Sequence, residues 1–291
     1  MYPSRFRYES PRSIQEAVSL LTDGGGDAKI LAGGQSLVPM IKLRFASPEM
    51  LVDINELPGL DYLRRGDDGA FHIGALCRHA TLERSALLAT RQPTMAAAAP
   101  LVADPIVRNR GTLVGSLCHA DPQGDWASVM TSLDGLVVAE GPKGRRNIPV
   151  KDFVRGPFQN VLEIDEIVIE AVVPAPQGVP AGGYLKLERR VGDFATVGVA
   201  VSIDRVAGKV GRAGIALTGV GGSTISADAA SQVLVGKPLN DEAIGEAAEL
   251  AAQAADPRTD HRGSASYKRQ VVRVFTSRIL TRLLKSEEEA A

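Results

Sequence analysis

Two short runs of small residues constrain this chain most. Leu31-Ala32-Gly33-Gly34-Gln35-Ser36-Leu37 is answered about 75 residues later by Arg110-Gly111-Thr112-Leu113-Val114-Gly115-Ser116. Each run sits between apolar residues. Gly and Ser keep side chains out of the way, so backbone N–H groups can close on an anionic group such as a phosphate. Taken alone, either run is most simply a glycine turn. Together, with no Walker lysine after either, they suggest a pyrophosphate held by backbone from two sides. The Ser36 and Ser116 hydroxyls could add donors; the plainer alternative is that they stabilise the turns.

The pattern around the runs is α/β. Ser13 with Glu16 is a capping box. Ile14, Ala17, Val18 and Leu21 then repeat at helical spacing until Gly24-Gly25-Gly26 stops the helix. Lys29–Ala32 and Leu51–Ile54 read as buried strands, which makes a small α/β unit of about 55 residues. Phe71–Leu76 reads as another strand, and Thr81 can cap a helix through Leu88. Met95–Val102 reads as helical, with Pro100 disturbing it. Asp125–Leu133 is predicted helical, with Trp126, Val129, Met130 and Leu133 on one face. Leu136–Ala139 and Asn147–Val150 read as neighbouring strands, followed by Glu166–Val173. The Pro- and Gly-rich stretch 174–183 reads as a linker. Beyond it lie three strand-like runs (Tyr184–Glu188, Thr196–Ile203, Arg212–Thr218) and three helical ones (Asp228–Val235, Asp241–Ala255, Ser264–Leu284). Strands followed by a helix cluster form an α+β unit.

Bulk properties narrow the function. A chain of 291 residues suggests two domains, or one large and one small. A net charge of -1 and 4% aromatic residues argue against nucleic-acid binding. No apolar run approaches the roughly 20 residues of a membrane span, and the N-terminus has no signal core, so the chain reads as cytoplasmic. Cys77 and Cys118 are far apart, and an iron–sulfur cluster usually takes four cysteines. His72, His79, His119 and His261 are scattered and suggest no metal site. Of these, His119 stands out because it follows the second glycine run. Asp121 before Pro122 reads as a turn former. Asp125 reads either as an N-cap or as a carboxylate beside a nucleotide.

Ala32-Gly33-Gly34-Gln35-Ser36-Leu37-Val38-Pro39 resembles the first flavin-diphosphate loop of the medium, FAD-binding subunit of molybdenum hydroxylases. That family includes aerobic carbon monoxide dehydrogenase and the xanthine dehydrogenase group. Arg108–Ser116, with Asp121-Pro122 and Asp125 beyond, resembles the second loop. Gly192-Asp193-Phe194-Ala195, after Lys186 and before Gly198-Val199-Ala200, is similar to the family's C-terminal signature. The resemblance runs from Tyr8 to about Leu284.

The resemblance implies an α+β chain. A vanillyl-alcohol-oxidase-like (PCMH-type) FAD-binding domain would span residues 1–175, as two α/β subdomains at about 1–57 and 58–175. Residues 176–286 would form a three-stranded antiparallel sheet with a helix bundle, and FAD would lie between the two parts. Ala32, Gly33, Gly34, Gln35, Ser36 and Leu37, with Gly111, Thr112, Val114, Gly115 and Ser116, would hold the diphosphate. Asp125 would contact the nucleotide, and Val168 and Lys186 would flank the flavin ring. No residue is expected to act as a catalytic acid or base.

The resemblance also implies partners: a large subunit with a molybdenum cofactor and a small subunit with two [2Fe–2S] clusters, arranged as a dimer of heterotrimers. The electron acceptor would be a quinone, NAD or oxygen. The carbon monoxide branch fits best, with a location in the cytoplasm or peripherally at the inner face of the membrane. Two other classes stay open, a stand-alone flavin oxidoreductase and an FAD-free structural subunit. One position departs from the family pattern, which reads Thr-Ile-Gly-Gly where this chain has Thr112-Leu113-Val114-Gly115. If position 114 needs positive φ or close phosphate approach, Val would cost about 1–3 kcal/mol and hold flavin less well than a Val114→Gly variant.

Overall fold

A computed structural model describes residues 2–288; the solvated end expected at Glu287-Glu288-Glu289 lies outside the side chains it describes. The chain opens with β1 (Arg7–Glu9) and α1 (Ile14–Gly24). Ser13 caps α1 as predicted. Its Oγ accepts from the Glu16 N–H at 3.1 Å, and Gly25 at φ 55° stops the helix. The Glu16 carboxylate reaches one residue beyond the cap, to the Arg12 N–H at 2.7 Å. Then come β2 (Ala28–Leu31), the first glycine run, α2 (Leu37–Lys42) and β3 (Met50–Asp53). The three strands form a parallel sheet in the order β1-β3-β2. Open parallel sheets bind ligands beyond the carboxyl ends of their strands, and the first glycine run leaves the carboxyl end of β2.

β4 (Leu63–Arg65) and β5 (Phe71–Gly74) lead into short helices. These are α3 (His79–Glu83), α4 (Ala86–Arg91), α5 (Pro93–Ala98), a 3-10 turn at Ala99–Leu101, α6 (Pro105–Arg108), α7 (Leu113–His119) and α8 (Asp125–Ser132). β6 (Leu136–Gly141) and β7 (Gly144–Pro149) form the predicted hairpin. α9 (Val150–Phe153), β8 (Val154–Gly156) and β9 (Gln159–Asn160) precede β10 (Ile167–Val173). The antiparallel sheet runs β4-β5-β10-β6-β7. One apolar core with Phe71, Trp126 and Phe153 at its centre is shared with the parallel sheet.

Two helix expectations need correction here. Thr81 lies inside α3 and opens no helix; Ser85 caps the next one, accepting from the Leu88 N–H at 3.2 Å. The helix expected over Met95–Val102 is α5 plus the 3-10 turn, because Pro100 cannot donate an α-helical bond.

The stretch 174–183 is a linker only in its first half. β11 spans Val179–Leu187, and β12 (Val197–Val206), β13 (Lys209–Thr218) and β14 (Ile225–Ser226) complete an antiparallel sheet. The three expected strands are present and longer than their apolar patterns, and a two-residue fourth joins them. Alternate residues of a strand face opposite sides. A Cβ on Gly182 would run into Thr94 of α5, and one on Gly183 would meet Ile279 at 3.1 Å. The glycines that made this stretch look like a linker instead let helices approach both faces of β11. Ile279 belongs to α12 (Ala265–Glu288), which packs with α10 (Asp228–Gln232) and α11 (Asp241–Ala254) around a second core.

Candidate functional site

The two glycine runs touch. A Cβ on Gly33 would lie 2.8 Å from Gly111 Cα and closer still to the Arg110 carbonyl oxygen, so only glycine allows the approach. Gly34 next to it has φ +73°, a region that glycine enters without strain. Gln35 folds back, its Nε2 donating to the Gly33 carbonyl at 3.0 Å.

A chain of polar side chains behind the runs holds them together. Asn55 Nδ2 donates to the Ala32 carbonyl at 2.9 Å and to Asp53 Oδ1 at 2.5 Å. Arg78 donates to Asn55 Oδ1 at 2.7 Å and to the Arg110 carbonyl at 2.6 Å. Burial alone would raise the Asp53 carboxyl, but hydrogen bonds from Tyr8 and Asn55 outweigh it and hold the group below its ordinary value. Burial, with Arg110 nearby, lowers Arg78. Asn55, Arg78 and His79 are the residues that reading the sequence missed. The only local signal was Asp53-x-Asn55 at the end of a strand, a turn-forming pair.

The second run is half helix. Thr112 is the N-cap of α7, its Oγ1 accepting from the Gly115 N–H at 3.0 Å, which leaves its own O–H available to donate. Val114 lies in the first turn of α7, 3% exposed and packed into the core, and is not among the residues with positive φ. The strain expected of a valine there is therefore absent. Within α7, only Gly115 and Ser116 of the run are partly open.

The runs fit a diphosphate by their own geometry. The Gly34, Gln35 and Ser36 N–H groups have no protein acceptor among the described residues, and neither do the Ser36 and Ser116 hydroxyls. Ser36 leads directly into α2, whose first residue is Leu37. Free N–H groups, two helix starts and close backbone contact are the donor set an anionic diphosphate needs.

The remaining expected site residues lie elsewhere. Asp125 begins α8 and is 6% exposed. It accepts from the Tyr184 hydroxyl at 2.6 Å and from Lys186 Nζ at 3.0 Å. Burial raises its carboxyl, and Lys186 and Tyr184 work against that. Burial and the neighbouring Asp125 hold the Tyr184 phenol well above its ordinary value. Lys186 Nζ also donates to the Leu101 carbonyl at 2.9 Å and lies 3.4 Å from Glu188. Both oxygens of Asp125 and the ammonium of Lys186 are thus committed to a buried tie between α8 and β11.

Val168 is on β10, 3% exposed, with its side chain in the core and not on an open surface. The turn after β11 lies against the 3-10 turn's exit, where Gly192 packs on the Ala103 and Asp104 backbone. Arg262 pins this turn by donating to the Phe194 carbonyl at 3.0 Å. His119 tilts against Phe158 at 5.1 Å, and burial lowers its ring. Burial pushes both thiols, Cys77 and Cys118, up to about 12, far from a nucleophile's range.

Residues 4–176 match the model of the FAD binding domain in molybdopterin dehydrogenase. The chain belongs to this family. Residues 183–283 match the CO dehydrogenase flavoprotein C-terminal domain. The chain is 40% identical to the carbon monoxide dehydrogenase medium chain of Hydrogenophaga pseudoflava, over 96% of this chain and 97% of that one. It is 39% identical to the 6-hydroxypseudooxynicotine dehydrogenase complex subunit alpha of Paenarthrobacter nicotinovorans, over 98% and 96%. The solved carbon monoxide dehydrogenase of H. pseudoflava superimposes with a TM-score of 0.92 at 42% identity, covering 97% of this chain and 98% of that one. As a flavoprotein subunit of the molybdenum hydroxylases, the chain has the expected fold, a PCMH-type FAD-binding domain followed by the flavoprotein C-terminal domain. No helix among the described residues is long and apolar enough to cross a membrane.

Proposed function

We propose that this chain holds FAD across the two glycine runs and serves as the electron-transfer subunit of a heterotrimeric carbon monoxide dehydrogenase. The observation that carries the reading is the contact between Gly33 and Gly111, beside unsatisfied N–H groups at Gly34, Gln35 and Ser36. Bound FAD would accept electrons singly and release them as a pair, which suits a relay between one-electron centres and a two-electron acceptor.

The chain's own residues bind and place. Ala32 to Leu37 and Gly111 to Ser116 would cradle the diphosphate with backbone N–H groups and the Ser36 and Ser116 hydroxyls. Asn55 and Arg78 fix the spacing of the two runs. The Asp125–Tyr184–Lys186 tie holds the C-terminal sheet against the FAD-binding domain. With their charges committed there, Asp125 and Lys186 would act on the nucleotide and the ring by fixing β11 against α8. Val168 would support the ring from within the core.

Electrons would arrive from the [2Fe–2S] clusters of a small subunit, after substrate oxidation at the molybdenum cofactor of a large subunit. They would leave to a quinone, NAD or oxygen. The relatives' designations as medium chain and complex subunit support this division of labour, and the assembly proposed for it is a dimer of heterotrimers. A cytoplasmic location, free or at the inner membrane face, goes with it. The FAD-free structural reading loses its main support, since Val114 sits without strain.

The 39% identity to a 6-hydroxypseudooxynicotine dehydrogenase subunit favours one second reading of the substrate, an N-heterocyclic compound. Dye reduction by the purified complex decides between them. Reduction that depends on carbon monoxide supports the first reading. No reduction with carbon monoxide, with the molybdenum cofactor intact, overturns it.

A further inference from the structure

His79 is the buried titratable group at the site that the flavin reading leaves unused. It opens α3 and is 5% exposed. Its backbone N–H donates to the Gly111 carbonyl at 3.0 Å, and Arg78 and Thr112 form an antiparallel bridge beside it. Its ring lies directly against Gly111, where a Cβ would stand 2.8 Å from Cδ2 and 2.9 Å from Nε2. On the other side, Trp126 Nε1 is 3.0 Å from His79 Nδ1. An indole N–H can only donate, so Nδ1 must present its lone pair, and the neutral ring carries its proton on Nε2. Trp126 is fully buried, so turning the imidazole over would orphan a buried donor.

The charged groups around the ring agree with a neutral imidazole. Arg78 precedes it, and Arg108 of α6 faces it while paired with Glu83 of α3 at 2.9 Å. α5 and the 3-10 turn, which also pack on α3, carry no titratable side chain. Asp125, next to Trp126 on α8, is taken by Tyr184 and Lys186.

We infer that His79 is the positioning residue of the second glycine run: locked by Trp126 as the Nε2–H tautomer, it sets the Gly111-Thr112 backbone and so the approach of this run to Gly33, across which the flavin diphosphate would lie. The inference rests on the reading that this run holds the diphosphate. It also explains why position 111 must be glycine although its φ is not positive, because a side chain there would occupy the imidazole's place.

The test is a titration of the full-length apoprotein with FAD, followed by flavin fluorescence, with apoprotein melting recorded for each variant. His79→Asn keeps an acceptor near the Nδ1 position, so it should bind within about threefold of wild type, whereas His79→Ala should weaken binding about tenfold. Gly111→Ala, whose methyl group meets the imidazole at 2.8–2.9 Å as well as the Val107 carbonyl at 3.1 Å, should weaken binding well beyond the His79→Ala level. The double variant Gly111→Ala/His79→Ala should bind more tightly than Gly111→Ala alone, because removing the ring makes room for the methyl group. Loss of fold alone would not give this rescue. If His79→Ala binds like wild type, or if the double variant is no better than Gly111→Ala, the inference is overturned while the flavin reading stands. If wild type itself binds no FAD, the flavin reading fails and takes the inference with it.

Discussion

Gly33→Ala perturbs the contact on which the account of the site depends. The added methyl would stand 2.8 Å from Gly111 Cα and closer to the Arg110 carbonyl, against an ordinary carbon contact of 3.4 Å or more. The runs must therefore part by about 0.6 Å or more. Two terms follow. Overpacking a well-fitted contact costs about 1–3 kcal/mol of stability. The Asn55–Arg78 chain spanning the gap, with bonds of 2.6–2.9 Å, must also stretch or yield. For binding, moving one set of N–H donors by this distance weakens one or two charge-assisted hydrogen bonds, each worth about 1.5–3 kcal/mol. The expected result is a flavin Kd raised about 10- to 100-fold, together with a lower apoprotein melting temperature. Fluorescence titration and thermal melting measure the two separately. A Kd equal to wild type in a folded Gly33→Ala protein would refute the idea that the two runs jointly form the cradle.

Three further outcomes are expected. Lys186→Met leaves the Asp125 carboxylate buried without its cation and should destabilise the chain by about 3–5 kcal/mol in urea denaturation, with much of that recovered in Lys186→Met/Asp125→Asn; a single variant as stable as wild type would contradict the buried tie. His79 is pushed down to about 4 from 6.5 by burial, then by Arg108 and Arg78, so the unfolded chain binds the extra proton first. Stability should therefore fall as pH drops from 6.5 towards 4, by about 3 kcal/mol in all, and His79→Asn should flatten that part of the acid-unfolding curve. Val114→Gly removes a buried side chain from α7 and relieves no strain, so it should lower stability by about 1–3 kcal/mol and leave flavin affinity no tighter; tighter binding would revive the strain argument.

Sequence alone carries the elements whose signals are local. α1 has its cap and its stop glycines, α8 its apolar face, and β6–β7 a turn-rich joint. α7 is hidden because Gly115, Ser116 and Cys118 dilute its apolar period, and because its cap is closed by a backbone N–H with no acidic partner at the third position. The glycine runs are visible as runs, but not their contact, which joins residues 78 positions apart at Gly33 and Gly111. Asn55 carries only its local pairing with Asp53, and Arg78 and His79 carry no spacing signal, since their side-chain partners Asn55, Arg110 and Trp126 lie 23 to 47 residues away in sequence. The Asp125–Lys186 pair is hidden for the same reason, being 61 residues apart in sequence. Gly182 and Gly183 mislead, because the lack of a side chain marks a flexible linker and a close helix approach alike.

The most direct test is a visible absorption spectrum of the purified chain, taken after incubation with FAD and gel filtration. The account predicts a retained flavin spectrum, bleached by dithionite, that is lost in Gly33→Ala. A chain that stays colourless after this incubation would contradict it.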